Sequence, residues 1–116
     1  VRRLCVHCKS SYQAEAHETL LLGGAADSPR PVIFRPSGCE RCDFQGYRGR
    51  LAIMEIMRMN TDIDELIARR STAKEMRQLA EQQGFVTLAE DGLRRVLDGS
   101  TSLEELGRVI DLTDRM

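Results

Sequence analysis

The chain has 116 residues, and its 17 Lys and Arg against 18 Asp and Glu give a formal net charge of −1. Hydrophobic residues make up 41% and charged residues 30%, which excludes a disordered chain and fits one domain or two small subdomains. No apolar run approaches the roughly 18 residues that a membrane span needs. The chain begins at Val1 and enters a cysteine motif at once, so we expect a piece of a longer protein.

The charge is divided unevenly along the chain. Residues 1–50 hold eight Lys and Arg against five Asp and Glu, a balance of +3. Residues 51–116 hold nine against thirteen, a balance of −4. A nucleic-acid-binding domain is expected to have a pI above roughly 9, and neither half is basic enough for that. We therefore expect no nucleic-acid partner.

All four cysteines lie in the first half, in two Cys-x-x-Cys pairs: Cys5 with Cys8, and Cys39 with Cys42. The two pairs are separated by 30 residues. Each short turn directs two thiolates to one point, and two such turns supply the tetrahedral sulfur shell that Zn²⁺ prefers. Four thiolates leave no position for water, so the spacing predicts a structural metal site and not a hydrolytic one. Iron accepts the same geometry, so the spacing does not separate the two metals.

Two other arrangements of these residues are conceivable. Disulfide pairing would require an oxidising compartment, and nothing in the sequence indicates secretion. His7 lies inside the first pair and could replace a cysteine as ligand. Because four thiolates are available, we expect His7 to be exposed instead.

The remainder of the first half predicts short elements. Residues 14–22 favour a helix that ends at two glycines, and residues 32–35 are β-branched and aromatic, which predicts a strand. A glycine-rich turn that contains Arg48 and Arg50 follows the last cysteine. The apolar run Leu51–Met57 predicts a second strand.

In the second half, four Ser or Thr residues are each followed three positions later by an acid, the spacing of a capping box at a helix start. Apolar residues then recur with helical period. The predicted helices span residues 62–70, 73–83, 88–98 and 103–110, with caps at Thr61, Thr72, Thr87 and Ser102. Gly84 and Gly99 fall just past two of these helices, where a left-handed residue is expected.

Together these elements predict an α+β fold. A small tetracysteine zinc-binding subdomain with a few antiparallel strands occupies residues 1–50, a joining strand occupies 51–60, and an α-helical C-terminal subdomain occupies 61–116. Because the helices have their own caps and apolar faces, we expect the two subdomains to fold independently.

The sequence contains no P-loop, GxGxxG, HExxH or GxSxG pattern. Two His with scattered carboxylates do not identify a hydrolase. We therefore expect no catalysis by this chain on its own.

Four strings together resemble one protein family. They are RLCxxCK at 3–9, GCxxCxxxGYRGR at 38–50, GFVTL at 84–88 and GxTSLEEL at 99–106. In this combination the chain resembles the C-terminal part of the bacterial type II secretion and type IV pilus assembly ATPases, the GspE/PulE/PilB family.

The resemblance implies that Cys5, Cys8, Cys39 and Cys42 bind structural zinc and that residues 51–57 join the last strands of a motor core. It also implies a cytoplasmic, homohexameric parent, peripheral at the inner membrane, that hydrolyses ATP with Mg²⁺. Its partners would be the motor domain of its own chain and inner-membrane secretion or pilus platform proteins. The Walker A, Walker B, Asp-box and His-box motifs would lie upstream of Val1.

The resemblance also makes Arg50, with Arg48 beside it, a candidate for the edge of the parent's nucleotide pocket. Two arginines on a glycine-rich turn suit contact with phosphate or carboxylate groups. The alternative is that both are solvated surface charges or that they cap the zinc loop.

Two other functions share the tetracysteine pattern. A rubredoxin-like iron electron carrier uses the same ligands, but it has Gly just after the knuckles, where this chain has Lys9 and Asp43. A zinc ribbon that binds nucleic acid would need basic charge with interleaved aromatic residues, which this sequence lacks.

Overall fold

The computed structural model of the chain describes residues 1–25 and 27–113. Within them the first half forms strands β1 (Arg2–Leu4), β2 (Ser10–Gln13), β3 (Val32–Arg35) and β4 (Tyr47–Arg50), with helix α1 (Ala16–Leu21) and a 3-10 turn (Glu40–Cys42). The second half forms helices α2 (Thr61–Ala68), α3 (Ala73–Gln82), α4 (Leu88–Leu97) and α5 (Leu103–Val109). The predicted α+β class is therefore confirmed.

The described strands form two antiparallel ribbons, one of β1 with β4 and one of β2 with β3. The strand predicted over residues 32–35 is β3. In the β1–β4 ribbon, Arg2 faces Arg50 and Leu4 faces Tyr47, so β4 has one extra residue between these pairs. The ribbon therefore contains a bulge next to Gly49, whose φ of +82° is a conformation that glycine adopts without strain.

The four helices of the second half begin and end within one or two residues of their predicted bounds. Thr72, Thr87 and Ser102 cap α3, α4 and α5 as predicted, because each hydroxyl accepts a hydrogen bond from the backbone N–H three residues on. The cap predicted at Thr61 is wrong. Asn60 caps α2 instead, and its Oδ1 accepts from the Ile63 N–H at 2.9 Å.

Helices in the described part of the chain are all too short or too polar to cross a lipid bilayer.

The strand predicted over Leu51–Met57 does not form, since residues 51–60 have no regular secondary structure. Leu51 still exchanges two backbone hydrogen bonds with Val1, at 2.8 and 3.0 Å. The backbone pairing that continues from the β1–β4 ribbon ends at these two residues. Beyond this point no described strand lies alongside to pair the backbone, and a strand needs such a partner. The side chains of Met54, Ile56 and Met59 are 58%, 68% and 56% exposed.

The main buried cluster combines both halves of the chain. Its members are Ala14, Leu21 and Ile33 from the first half with Leu93, Val96, Leu103, Leu106 and Leu112 from the second. Helices α2 and α3 instead pack against each other. The boundaries at residues 50 and 61 stay predictions, but the shared cluster conflicts with the expectation that the two halves fold independently.

The close contact between α4 and α5 gives a prediction. A Cβ atom at Gly92 would lie 2.4 Å from Cδ1 of the fully buried Leu106, whereas a Cβ at Gly107 would have nothing within 4 Å. We expect Gly92→Ala to lower the free energy of unfolding by about 1–2 kcal/mol through overpacking. Gly107→Ala, the matched control, should raise it by up to about 1 kcal/mol through helix propensity. Urea unfolding followed by circular dichroism measures both, and equal stability of the two variants would contradict the prediction.

Candidate metal centre

The two Cys-x-x-Cys turns bring all four thiols to one point. Their Sγ atoms all lie within 4.8 Å of one another. The separation is 3.8 Å in each of three pairs, Cys5–Cys39, Cys8–Cys42 and Cys39–Cys42. A tetrahedron with metal–sulfur bonds of about 2.3 Å has sulfur–sulfur edges of about 3.8 Å. The four sulfur atoms therefore have the spacing of a tetrahedral tetrathiolate site that could hold a metal ion.

Each turn is built on the carbonyl of its first cysteine. The carbonyl oxygen of Cys5 accepts hydrogen bonds from the N–H groups of Cys8 and Lys9, at 3.4 and 3.0 Å. The carbonyl oxygen of Cys39 accepts in the same way from Cys42 and Phe44, at 3.2 and 2.8 Å. Because the backbone curls around one oxygen, the two side chains of each pair point the same way.

Backbone N–H groups also donate to the sulfur atoms. Gly38 donates to Cys8 Sγ at 3.3 Å and Gly46 donates to Cys42 Sγ at 3.2 Å. Gly46 has a φ of +81°, and a Cβ there would lie 2.4 Å from Cβ of Pro36. Only glycine fits this position, which explains the glycine four residues after the last cysteine.

Burial and hydrogen bonding shift the pKa values of Cys8 and Cys42 in opposite directions. Burial raises the pKa of Cys8 to about 11, against the single N–H that Gly38 donates to it. Burial also acts to raise the pKa of Cys42, but the N–H groups of Cys39 and Gly46 outweigh it and lower this pKa to about 6. The cluster thus contains a thiol that readily ionises, and a bound cation would favour the thiolate form of all four.

His7 is exposed, as expected, and the described metal-ligating cluster contains the four cysteines without it. Its Nε2 lies 3.3 Å from Nη1 of Arg41, which belongs to the second turn. His7 therefore links the two turns at the protein surface and is not part of the sulfur cluster.

Arg48 and Arg50 lie on β4, away from the thiols. Both are exposed, and neither side chain forms a hydrogen bond or ion pair with a described residue. Within the described chain both guanidinium groups are therefore available to a partner molecule.

One important residue was not predicted from the sequence: Glu105, a buried carboxylate that is paired with two arginines. Its side chain is fully buried and accepts from Nε and Nη2 of Arg108, at 2.9 and 3.1 Å. It also accepts from Arg2, through the backbone N–H at 2.7 Å and through Nε and Nη2 at 3.1 and 2.9 Å. Hydrogen bonding by Arg108 and then by Arg2 holds the pKa of Glu105 well below its ordinary value, although burial opposes this. The only sequence signal was its capping-box spacing from Ser102, and that pattern gives no hint of Arg2.

The loop between α4 and α5 attaches to the same β1–β4 ribbon. Three hydrogen bonds make the attachment: Leu4 N–H to the Ser100 carbonyl at 2.8 Å, Thr101 Oγ1 to the Arg2 carbonyl at 2.8 Å, and Tyr47 Oη with Ser102 Oγ at 2.6 Å. The ribbon that flanks the four thiols is therefore fixed to the two last helices.

Comparison with known proteins gives a consistent result. The family model described as Type II/IV secretion system protein matches residues 1–108. The chain is 38% identical over 113 residues to the type IV pilus assembly ATPase PilB of Thermus thermophilus, covering 96% of this chain and 13% of that protein. It is 39% identical over 109 residues to the type II secretion system protein E of Pseudomonas aeruginosa, covering 94% of this chain and 21% of that protein. The chain thus spans about a fifth or less of the length of these relatives.

Glu105 makes the stability of the fold depend on pH. Its pKa is lower in the folded chain than the ordinary value of 4.5, so its contribution is complete above that pH and is lost as the pH falls toward the folded pKa. We expect Glu105→Gln to lower the free energy of unfolding by about 1–2 kcal/mol at pH 7. The variant should also lose less stability than the wild type between pH 5 and pH 3, as measured by urea unfolding.

Glu104→Gln is the matched control, because Glu104 is exposed and its side chain has no partner among the described residues. Any loss of metal at low pH affects both variants equally, so the difference between them reports Glu105. If the free energy of unfolding fell equally with pH in both variants, the Glu105 carboxylate would make no contribution to the pH dependence of stability.

Proposed function

This chain belongs to the family of type II/IV secretion system proteins, and we propose that it is the C-terminal metal-binding and helical region of a pilus or secretion motor ATPase. The family match over residues 1–108 and the relatives named as ATPases support this proposal. The parent protein hydrolyses ATP with Mg²⁺ through segments outside this chain. It acts as a homohexamer at the cytoplasmic face of the bacterial inner membrane.

The metal in this proposal is one structural Zn²⁺, held by Cys5, Cys8, Cys39 and Cys42. The observation that carries it is the 3.8 Å spacing of the sulfur atoms, which matches a tetrahedral zinc–thiolate shell. Structural zinc can supply roughly 10–16 kcal/mol of apparent free energy. That is enough to fix the segment between the two turns, whose own buried apolar residues are few.

The region acts as a coupling module between the motor domain of its own chain and inner-membrane platform proteins. Residues 51–60 supply the link, because their backbone pairs with no described strand beyond Leu51 and the side chains of Met54, Ile56 and Met59 are exposed. In the parent this segment pairs with a strand of the motor core. Motion of the core then reaches the metal centre through β4, which runs directly from the second cysteine turn into the segment.

In this proposal, Arg50 is the residue of this chain that contacts the nucleotide. It lies at the end of β4, next to the segment that joins the motor core, and its guanidinium has no partner among the described residues. An unpaired guanidinium is suited to a phosphate oxygen of ATP.

The proposed metal is tested by elemental analysis of the purified chain. We expect one zinc per chain in the wild type and in His7→Ala, and loss of zinc in Cys39→Ser, because three thiolates leave the shell incomplete. Stoichiometric iron with strong visible absorption would favour the rubredoxin-like electron carrier instead. A chain without stoichiometric metal would remove the structural role altogether.

The proposed role of Arg50 is tested in the full-length parent. We expect Arg50→Ala to lower ATPase turnover by at least about tenfold, the size of losing one charged contact to the transferring phosphate. Zinc content should stay at one per chain. Arg3→Ala is the matched control, because Arg3 is an exposed arginine of the same ribbon whose side chain has no described partner. Equal turnover in the two variants would assign Arg50 to plain surface, and loss of zinc would make its role structural.

A further inference from the structure

We propose that Glu105 is a positioning residue for Arg50, acting from helix α5 through Arg2 and strand β1. The inference depends on the proposed function, since that is what gives Arg50 a nucleotide to contact. Glu105 itself touches no nucleotide in this proposal.

The first step runs from Glu105 to the main chain of β1. One carboxylate oxygen accepts the backbone N–H of Arg2 at 2.7 Å, and the other accepts from the guanidinium of the same residue. On the other side of Arg2, its carbonyl oxygen accepts from Thr101 Oγ1 at 2.8 Å. The peptide groups on both sides of Arg2 are therefore held by the α5 helix and the loop before it.

The second step runs from β1 to Arg50. Arg2 is the cross-strand partner of Arg50, and the next pair, Val1 with Leu51, exchanges two backbone hydrogen bonds. A Cβ atom built at Gly49, just before Arg50, would have no neighbouring atom within 4 Å, so nothing packs against this side of the bulge. The position of Arg50 is thus set by pairing with β1 and not by contacts of its side chain.

The third step concerns charge. Two arginines directly opposite each other on neighbouring strands repel. The Arg2 guanidinium is instead held by the Glu105 carboxylate on α5, and it lies 4.2 Å from the centre of the Tyr47 ring. Arg2 and Arg108 occupy both oxygens of the carboxylate, and the guanidinium of Arg50 has no hydrogen bond or ion pair with a described residue and is available to an anion.

The test is a double-mutant cycle in the full-length protein, with steady-state ATPase measured over a range of ATP concentrations. The variants are Glu105→Gln, Arg50→Ala, the double variant and the control Glu104→Gln. The temperature is kept below the onset of unfolding of every variant, and zinc content is measured for each. A merely stabilising role of Glu105 would leave kcat and KM unchanged under these conditions.

We expect Glu105→Gln to lower kcat/KM by about fivefold, which corresponds to about 1 kcal/mol, and to change the same kinetic parameter that Arg50→Ala changes. In the Arg50→Ala background, Glu105→Gln should have no further effect, because the residue it positions is gone. Glu104→Gln should keep wild-type kinetics.

Two results would overturn the inference alone: unchanged kinetics in Glu105→Gln while Arg50→Ala is impaired, or effects of the two substitutions that simply add. Unchanged turnover in Arg50→Ala would instead overturn the nucleotide role of Arg50, and the inference with it. Where Glu105→Gln does not fold, Thr101→Val gives the same test, since it removes only the hydrogen bond to the Arg2 carbonyl. Thr101→Val should lower kcat/KM when it is introduced into the wild type, and it should have no effect in the Arg50→Ala background.

Discussion

The buried carboxylate of Glu105 is the interaction on which the arrangement of the two halves depends. Its oxygens accept five hydrogen bonds from two arginines, and the three from Arg2, one of them through the backbone, join helix α5 to strand β1. A buried charge is tolerated only where its lone pairs are satisfied, and both oxygens of Glu105 are satisfied here. Thr101 and Ser102, in the loop just before α5, form hydrogen bonds with the same β1–β4 ribbon.

Most of the local structure could be predicted from the sequence. Caps such as Thr87 and Ser102 act within one turn of their own helix, so spacing alone locates them. The prediction failed at Asn60, because the capping pattern considered only Ser and Thr. It failed over residues 51–57 for a different reason. A strand is defined by its neighbour, and an apolar run contains no information about whether that neighbour lies in the same piece of chain.

The four thiols were predictable as a group because each Cys-x-x-Cys turn is a local structure and a metal shell needs two of them. Glu105 was not, since its partner Arg2 lies 103 residues away and no spacing rule links them. The same limit applies to the division of the chain. Separate caps and apolar faces suggested independent halves, but the cluster that contains Ile33 and Leu106 crosses between them.

Links of different length along the chain hold this fold together, and two of them can be compared. The thiol cluster joins residues 34 apart and the Glu105 tie joins residues 103 apart. Loop-closure entropy rises only with the logarithm of length, so the longer closure costs roughly 1 kcal/mol more than the shorter one. The three hydrogen bonds from Arg2 to the buried Glu105 carboxylate are enough to offset that difference. The consequence is mechanical. In the proposed coupling role, a displacement that entered at Leu51 would reach both the thiol turns and helix α5, because the β1–β4 ribbon is bonded to both.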